Sequence, residues 1–238
     1  MAGSEHPPFA VTADVVAMTL VAGRLSVLLV QRGGQPFAGS WALPGGFVAP
    51  DEDADDAAAR ELGEETGVVL VPSADVRTAG TGHLEQLRTY SAPARDPRMR
   101  VVSVAYVAVL PEPTLASAGS DAADVRWFAV DDLDFPLAFD HADIVRDAVE
   151  RIRSKLEYTT LAAAFCAPTF TIPELRRVYE AVWGAHVDGP NFSRKVTSTK
   201  GFVVETDEHR PASAAGGRPP RLFRRGPAAA LFPPLLRP

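Results

Sequence analysis

Glu61, Glu64 and Glu65 stand at i, i+3 and i+4, the spacing that puts three carboxylates on one face of a helix. Like charges so placed repel by about 0.2–0.5 kcal/mol per pair, so the arrangement favours a bound cation. Clustered oxygen donors are what Mg²⁺ or Mn²⁺ accepts, and such an ion neutralises phosphate oxygens and activates water. The glutamates belong to a longer pattern of Gly46, Glu52, Arg60, Glu61, Leu62, Glu64, Glu65, Gly67 and Val68, preceded by the loop Leu43, Pro44, Gly45, Gly46. A solvated acidic helix explains three glutamates. It does not explain the leading glycines, the terminal glycine and the fixed spacing between them.

The elements that must position these groups are legible around them. Asp53 can cap a helix whose first turn carries Asp55 and Asp56, favourable at the positive end of the helix dipole. Gly67 supplies the left-handed residue that ends it, and Ala58 and Leu62 form a second face suited to packing on a sheet. Val11–Met18 and Leu25–Gln31 are apolar, β-branched runs around Ala22, Gly23 and Arg24, a hairpin pattern. His83–Tyr90, Val101–Leu110 and Val125–Val130 read as further strands, and His141–Leu156 has helical periodicity. The expectation is a mixed unit of sheet plus helices over residues 9–157.

A second unit follows over 158–225. Thr159–Cys166 reads as a short helix. Thr171 and Glu174 form a capping box ahead of a helix carrying Leu175, Val178, Tyr179 and Val182, ended by Gly184. Asp188 or Asn191 caps a third helix that Gly201 stops. Phe202–Glu205 and Arg218–Arg225 are strand candidates. Three helices and a hairpin, with a short turn between the second and third helices, is the layout of a winged helix-turn-helix. Residues 226–238, rich in Pro and Ala without a periodic face, are expected to be a disordered tail.

Charge divides the chain in the same place. Residues 1–150 carry 10 Lys/Arg against 23 Asp/Glu, whereas 151–238 carry 14 against 7. A basic unit prefers a polyanion. Arg194, Lys195 and Lys200 lie on or beside the third helix with Asn191, Ser193 and Thr199 as small polar neighbours, and Arg218 and Arg221 lie on the hairpin. Basic groups attract phosphate, and small polar groups on a helix read bases. An arginine-rich hairpin also suits a protein-binding module that serves dimerisation, and both readings stand at this point. The single cysteine, Cys166, excludes an internal disulfide and fits a reducing compartment. No signal peptide or membrane span is read, so a cytoplasmic protein is expected. His6, His83, His141, His186 and His209 lack metal-ligand spacing and read as surface or loop residues.

The nine-position pattern resembles the Nudix box, which implies an α/β Nudix αβα sandwich. The whole chain is similar to the Nudix-related transcriptional regulators of NAD metabolism, on the segments GHLEQLRTYSAPARDPRMRVVSVAYVAV from Gly82, FTIPELRRVYEAVWG from Phe170, NFSRKV from Asn191 and GGRPPRLFR from Gly216. That resemblance implies a dimeric repressor of NAD biosynthesis or salvage genes, with ADP-ribose or a related nucleotide releasing a double-stranded DNA operator. Some members of that group have degraded boxes; this one is complete, so ADP-ribose pyrophosphohydrolase activity giving AMP and ribose 5-phosphate is the alternative, and both functions are compatible. The resemblance makes Glu61 and Glu65 metal ligands, helped by Glu64 and the Gly46 carbonyl, with Arg60 orienting a glutamate. Glu85 is the candidate for a further acid or base. Arg88, Arg95, Arg98 and Arg100 either hold phosphates or form a solvated basic loop.

Overall fold

The structure, a computed structural model, describes residues 8–69, 82–113, 122–210 and 219–238. Strands β1 (Ala10–Val21) and β2 (Arg24–Arg32) form the expected hairpin. Ala22 and Gly23 both have positive φ, 49° and 78°, the pair of left-handed residues that lets a two-residue turn match the strand twist. Short strands β3 (Trp41–Ala42) and β4 (Gly45–Phe47) follow, then helix α1 (Ala54–Thr66) and strands β5 (His83–Tyr90), β6 (Val101–Val109) and β7 (Ala122–Ala129). They make a seven-stranded sheet ordered β3-β2-β1-β6-β5, with β4 on β1 and β7 on β2. β1 and β6 are parallel; the other pairs are antiparallel.

Helices cover both faces. Ala57, Ala58 and Leu62 of α1 pack with Val15, Leu28 and Tyr106 on one face. Ile144, Val145, Ala148, Ile152 and Leu156 of α2 (His141–Tyr158) pack with Val16, Val27 and Val107 on the other. β1 is therefore buried on both sides, which explains its nearly unbroken apolar run rather than an alternating one.

The winged helix begins at the end of α2. A 3₁₀ helix spans Leu161–Phe165, then α3 (Ile172–Trp183) opens on the complete Thr171–Glu174 capping box and closes on Gly184 at φ 66°. Helix α4 (Gly189–Ser198) is capped by Asp188. β8 (Val203–His209) and β9 (Arg221–Arg225) form the wing. Phe170 and Phe223 exchange backbone hydrogen bonds of 2.8 and 2.7 Å, tying the approach to α3 onto β9. Trp183 Nε1 donates to the Arg153 carbonyl at 3.1 Å, and Arg153 Nε donates to the Val182 carbonyl at 2.9 Å, cross-linking α2 and α3. One apolar cluster runs from the sheet through α2 into Leu175, Tyr179, Phe192 and Phe202.

The C-terminal segment corrects the expectation of a disordered tail. The Leu231 N–H donates to the Tyr158 carbonyl at 2.8 Å and the Leu235 N–H to the Glu157 carbonyl at 2.7 Å. Both leucine side chains are buried in the cluster around α2, and Arg237 pairs with Glu150 at 2.9 Å. Proline-rich sequence without periodicity excludes a helix or strand, but two leucines four residues apart suffice to bury an irregular segment. Leu231→Ala with Leu235→Ala should cost about 2 kcal/mol or more per site. A urea midpoint unchanged in that double variant would show that the segment adds nothing to the fold. Among the described residues no helix is long and apolar enough to cross a membrane.

Candidate active site and nucleic-acid interface

The caps fix where α1 begins and ends. Asp53 accepts the Asp55 and Asp56 N–H groups at 3.0 and 2.9 Å, and Gly67 closes the helix at φ 72°. With its buried face against the sheet, α1 presents its glutamates to β4. Glu65 accepts the Gly45 N–H at 3.0 Å. Gly46 lies so close to Glu61 that a Cβ there would fall 2.3 Å from the carboxylate oxygen, so a larger residue would push the Glu61 carboxylate out of this position. Arg60 is the hub. Its Nε and Nη2 donate to Glu52 at 2.9 and 2.6 Å, and its Nη1 donates to Glu61 at 2.9 Å and to Glu64 at 3.0 Å.

These contacts separate the acids. The Arg60 bonds hold Glu52 down at about 2. Burial pushes Glu65 up to about 7 against the Gly45 N–H, and the neighbouring Glu61 charge adds to the rise. Burial also raises Glu61, in spite of Arg60. Glu64 is exposed and turned to Arg60. Among the described residues no three His, Cys, Asp or Glu side chains converge on one point. The donor set nevertheless fits a hard cation: two partly desolvated carboxylates, Glu61 and Glu65, both raised by burial first and then by neighbouring carboxylates, stand beside a glycine backbone. Those three residues could hold Mg²⁺ or Mn²⁺.

Next to them is a cavity of about 120 Å³ whose lining includes Asp14, Arg32, Gly46, Arg98, Phe139 and His141. Arg98 pairs with Asp96 at 2.7 Å, its guanidinium 5.5 Å from the centre of the Phe47 ring and 5.9 Å from that of Phe139. Arg32 lies 4.9 Å over Phe139. Arg95 is buried and bidentate to Asp140 at 3.0 and 2.7 Å, with Asp14 at 3.5 Å. Ser103 donates its hydroxyl to Asp14. His141 Nδ1 accepts the Leu43 N–H at 2.9 Å, which leaves Nε2 3.9 Å from Asp14. Burial pushes the imidazole down, so the neutral ring is favoured.

Several expectations change here. His141 is not a surface residue: it opens α2 in the core beside the cavity. His83 is half-buried and bonded to Glu85 at 2.9 Å. Asp14, Arg32, Phe139, Asp140 and His141 escaped the sequence reading. The available signals were a charge inside an apolar strand, Asp14, and an arginine at a strand end, Arg32. Of Arg88, Arg95, Arg98 and Arg100, only Arg95 and Arg98 line this cavity. Arg100 donates to the Ser91 and Ala92 carbonyls and lies over Phe9. Arg88 pairs with Asp147 of α2 at 3.2 Å. Glu85 pairs in register with Val107, on the α2 face of the sheet and away from α1. There it bonds Lys155 and His83, which hold it ionised at about 2. A carboxylate so held is an anchor for α2 and not a proton donor to the opposite face.

In the winged helix, Asn191, Arg194, Ser198 and Lys200 are exposed, and Ser193 and Lys195 are partly so. Asn191 already accepts from Arg194 at 2.7 Å, which presents the pair as one unit. Thr199 departs from the expectation. It is buried, and its hydroxyl donates to the Lys195 carbonyl at 2.7 Å, finishing the helix rather than facing a partner. Arg218 lies outside the described residues. On the wing, Arg224 is exposed and Arg221 faces Glu205 at 3.5 Å. Arg210 clamps Glu174 and the Thr169 carbonyl, and Arg225 is half-buried, so the arginine count of this segment overstates its free charge.

The comparisons agree with this two-part architecture. The NUDIX domain model matches residues 8–148, and the NrtR DNA-binding winged helix domain model matches residues 163–225. The ADPR responsive transcriptional repressor NtrR of Acinetobacter baylyi is 32% identical over 224 residues, 93% of this chain and 84% of that protein. The crystal structure of Shewanella oneidensis NrtR complexed with a 27mer DNA superimposes with a TM-score of 0.78 at 34% identity, covering 95% of this chain and 99% of that one. An ADP-ribose pyrophosphatase of Methanocaldococcus jannaschii is 39% identical over 121 residues, 51% of this chain and 64% of its own length. With its complete box on α1, its sandwich and its winged helix all in place, the chain belongs to the Nudix family, in the branch that carries an NrtR-type DNA-binding domain.

Proposed function

We propose that this protein is an ADP-ribose-responsive repressor of NAD biosynthesis or salvage genes, acting as a homodimer on a double-stranded operator. The observation that carries the reading is the joining of an anion-suited cavity and a winged helix through a single apolar core. Arg32 and Arg98 beside Gly45 and Gly46 suit a pyrophosphate, and Phe47 and Phe139 offer faces to a base or ribose. Asn191, Ser193, Arg194, Lys195 and Lys200 face the operator, with Arg221 on the wing reaching phosphates; Arg218, outside the described residues, stays a candidate from the sequence alone. Two protomers match a two-fold site with half-sites one or more helical turns apart. The test is a gel shift on the promoter of a NAD-metabolism gene at physiological salt. A retarded complex that ADP-ribose dissolves is expected; binding no tighter than to random DNA sinks the reading.

A second reading rests on the intact box. The relative named as an ADP-ribose pyrophosphatase and the geometry around Glu61 and Glu65 support Mg²⁺- or Mn²⁺-dependent cleavage of ADP-ribose to AMP and ribose 5-phosphate. In that reaction Arg60 fixes Glu61 and Glu64, and Glu61, Glu65 and Gly46 would hold the ion, which when bound would supply electrophilic charge at the pyrophosphate. The two readings are compatible in one chain.

A further inference from the structure

A second cavity lies away from the box. It measures about 620 Å³ and is lined by Ala163, Ala164, Cys166, Phe170 and Val204 of the winged helix and by Gly82 and Pro111 of the Nudix domain, with Gly226–Ala229 completing the wall. The lining is mostly apolar and also contains Arg225. Arg225 is half-buried, and its hydrogen bond among the described residues is a donation to the Thr160 hydroxyl at 3.2 Å. That hydroxyl is itself committed to the Ala228 carbonyl at 2.8 Å. No carboxylate among the described residues lies within ion-pairing distance of Arg225. The other charged groups of the lining, Glu208 and Arg224, are exposed and opposite in sign.

A guanidinium with five donors, one weak partner and an apolar chamber in front of it is short of an anion. Burial alone acts on Arg225 and lowers its proton affinity, with no neighbouring charge to offset it. The volume is within the range of small-molecule sites, and a compact inorganic ion would leave most of the apolar wall unmatched. We propose that this junction cavity binds a small organic monoanion with an apolar body, its anionic head on Arg225 and its body against Ala163, Ala164 and Phe170. An occupant would touch both the wing base and the segment that straps α2, and so would act at a site separate from the box.

The probe is 8-anilinonaphthalene-1-sulfonate, an aromatic monoanion whose fluorescence rises on desolvation. The folded full-length protein should bind it saturably at one site, and saturating ADP-ribose should leave that binding in place. Arg225→Leu should weaken it about tenfold or more, and Ala164→Trp, which puts an indole into the chamber from its wall, should remove it. Circular dichroism and the thermal midpoint check that both variants fold, so either one alone keeps the test decisive. Probe binding unchanged by both substitutions, or displaced by ADP-ribose, overturns the proposal. So does an Arg225→Leu protein that loses operator affinity while binding the probe normally, since Arg225 would then be a DNA-phosphate contact.

Discussion

A protein carrying Glu61→Gln and Glu65→Gln should lose divalent-metal affinity by about a hundredfold or more, because carboxylate count sets the affinity of such oxygen sites. It should keep its fold, since the amides match the glutamates in size and can still accept the Gly45 and Arg60 hydrogen bonds. Isothermal calorimetry with Mn²⁺ reads the first point; equal affinity in wild type and double variant would remove the metal from this site. Cleavage of ADP-ribose, followed as AMP, should fall to the no-enzyme level in the same variant. A pH dependence accompanies it. The folded value of Glu65 is about 7 against 4.5 for the ordinary group, so the folded state holds its proton more tightly than the unfolded chain. Without metal, that contribution is fully present below pH ~4.5 and disappears as pH rises through about 7, a loss of up to about 3 kcal/mol. Glu65→Gln should flatten the metal-free stability profile over that window in urea melts. A profile of unchanged slope would mean that Glu65 is not perturbed by its surroundings.

The second large effect is expected on DNA. The Nudix portion is strongly acidic and repels a duplex, so attraction must come from the local field of α4 and the wing. Arg194→Ala removes an exposed cation and also frees Asn191, its partner at 2.7 Å. The cost should be about 1–3 kcal/mol if the pair reads a base edge, roughly ten- to a hundredfold in operator affinity. Arg221→Ala should weaken specific and random DNA alike and lower the salt slope by about 1 per contact. Fluorescence anisotropy across a salt series separates these outcomes. An Arg194→Ala protein with wild-type affinity and slope would place the interface elsewhere on the winged helix.

What could be seen in advance followed the range of the interactions. The caps at Asp53, Thr171 and Asp188, the turns at Ala22–Gly23 and Gly184, and the shared face of the α1 glutamates are fixed by residues a few positions apart, and the chain displays them directly. The cluster of Asp14, Arg95, Asp140 and His141 depends on the parallel pairing of β1 with β6 and on where α2 starts, so no local spacing announces it. Glu85 was misplaced because a bare acidic residue on a strand does not reveal which face it takes; register with Val107 decides that. Thr199 and Arg210 look like free polar groups in the sequence and turn out to serve the helix end and the Glu174 cap. The final segment failed as a pattern because its two leucines bury without any repeat.

Helix α2 carries a mechanical consequence. At its first residue His141 is bonded to the Leu43 backbone beside the box cavity, and at its far end Arg153 grips α3 while Tyr158 holds the last segment. Eighteen residues of helix span about 27 Å, so a rotation of only about 4° at His141 carries the far end through about 2 Å. The helix is therefore a lever whose short stroke lies at the box cavity and whose long stroke lies at the winged helix. In a two-fold pair that stroke is made in both arms at once, so a displacement too small to disturb either domain's packing still spoils the match between two recognition helices and two grooves of a stiff duplex.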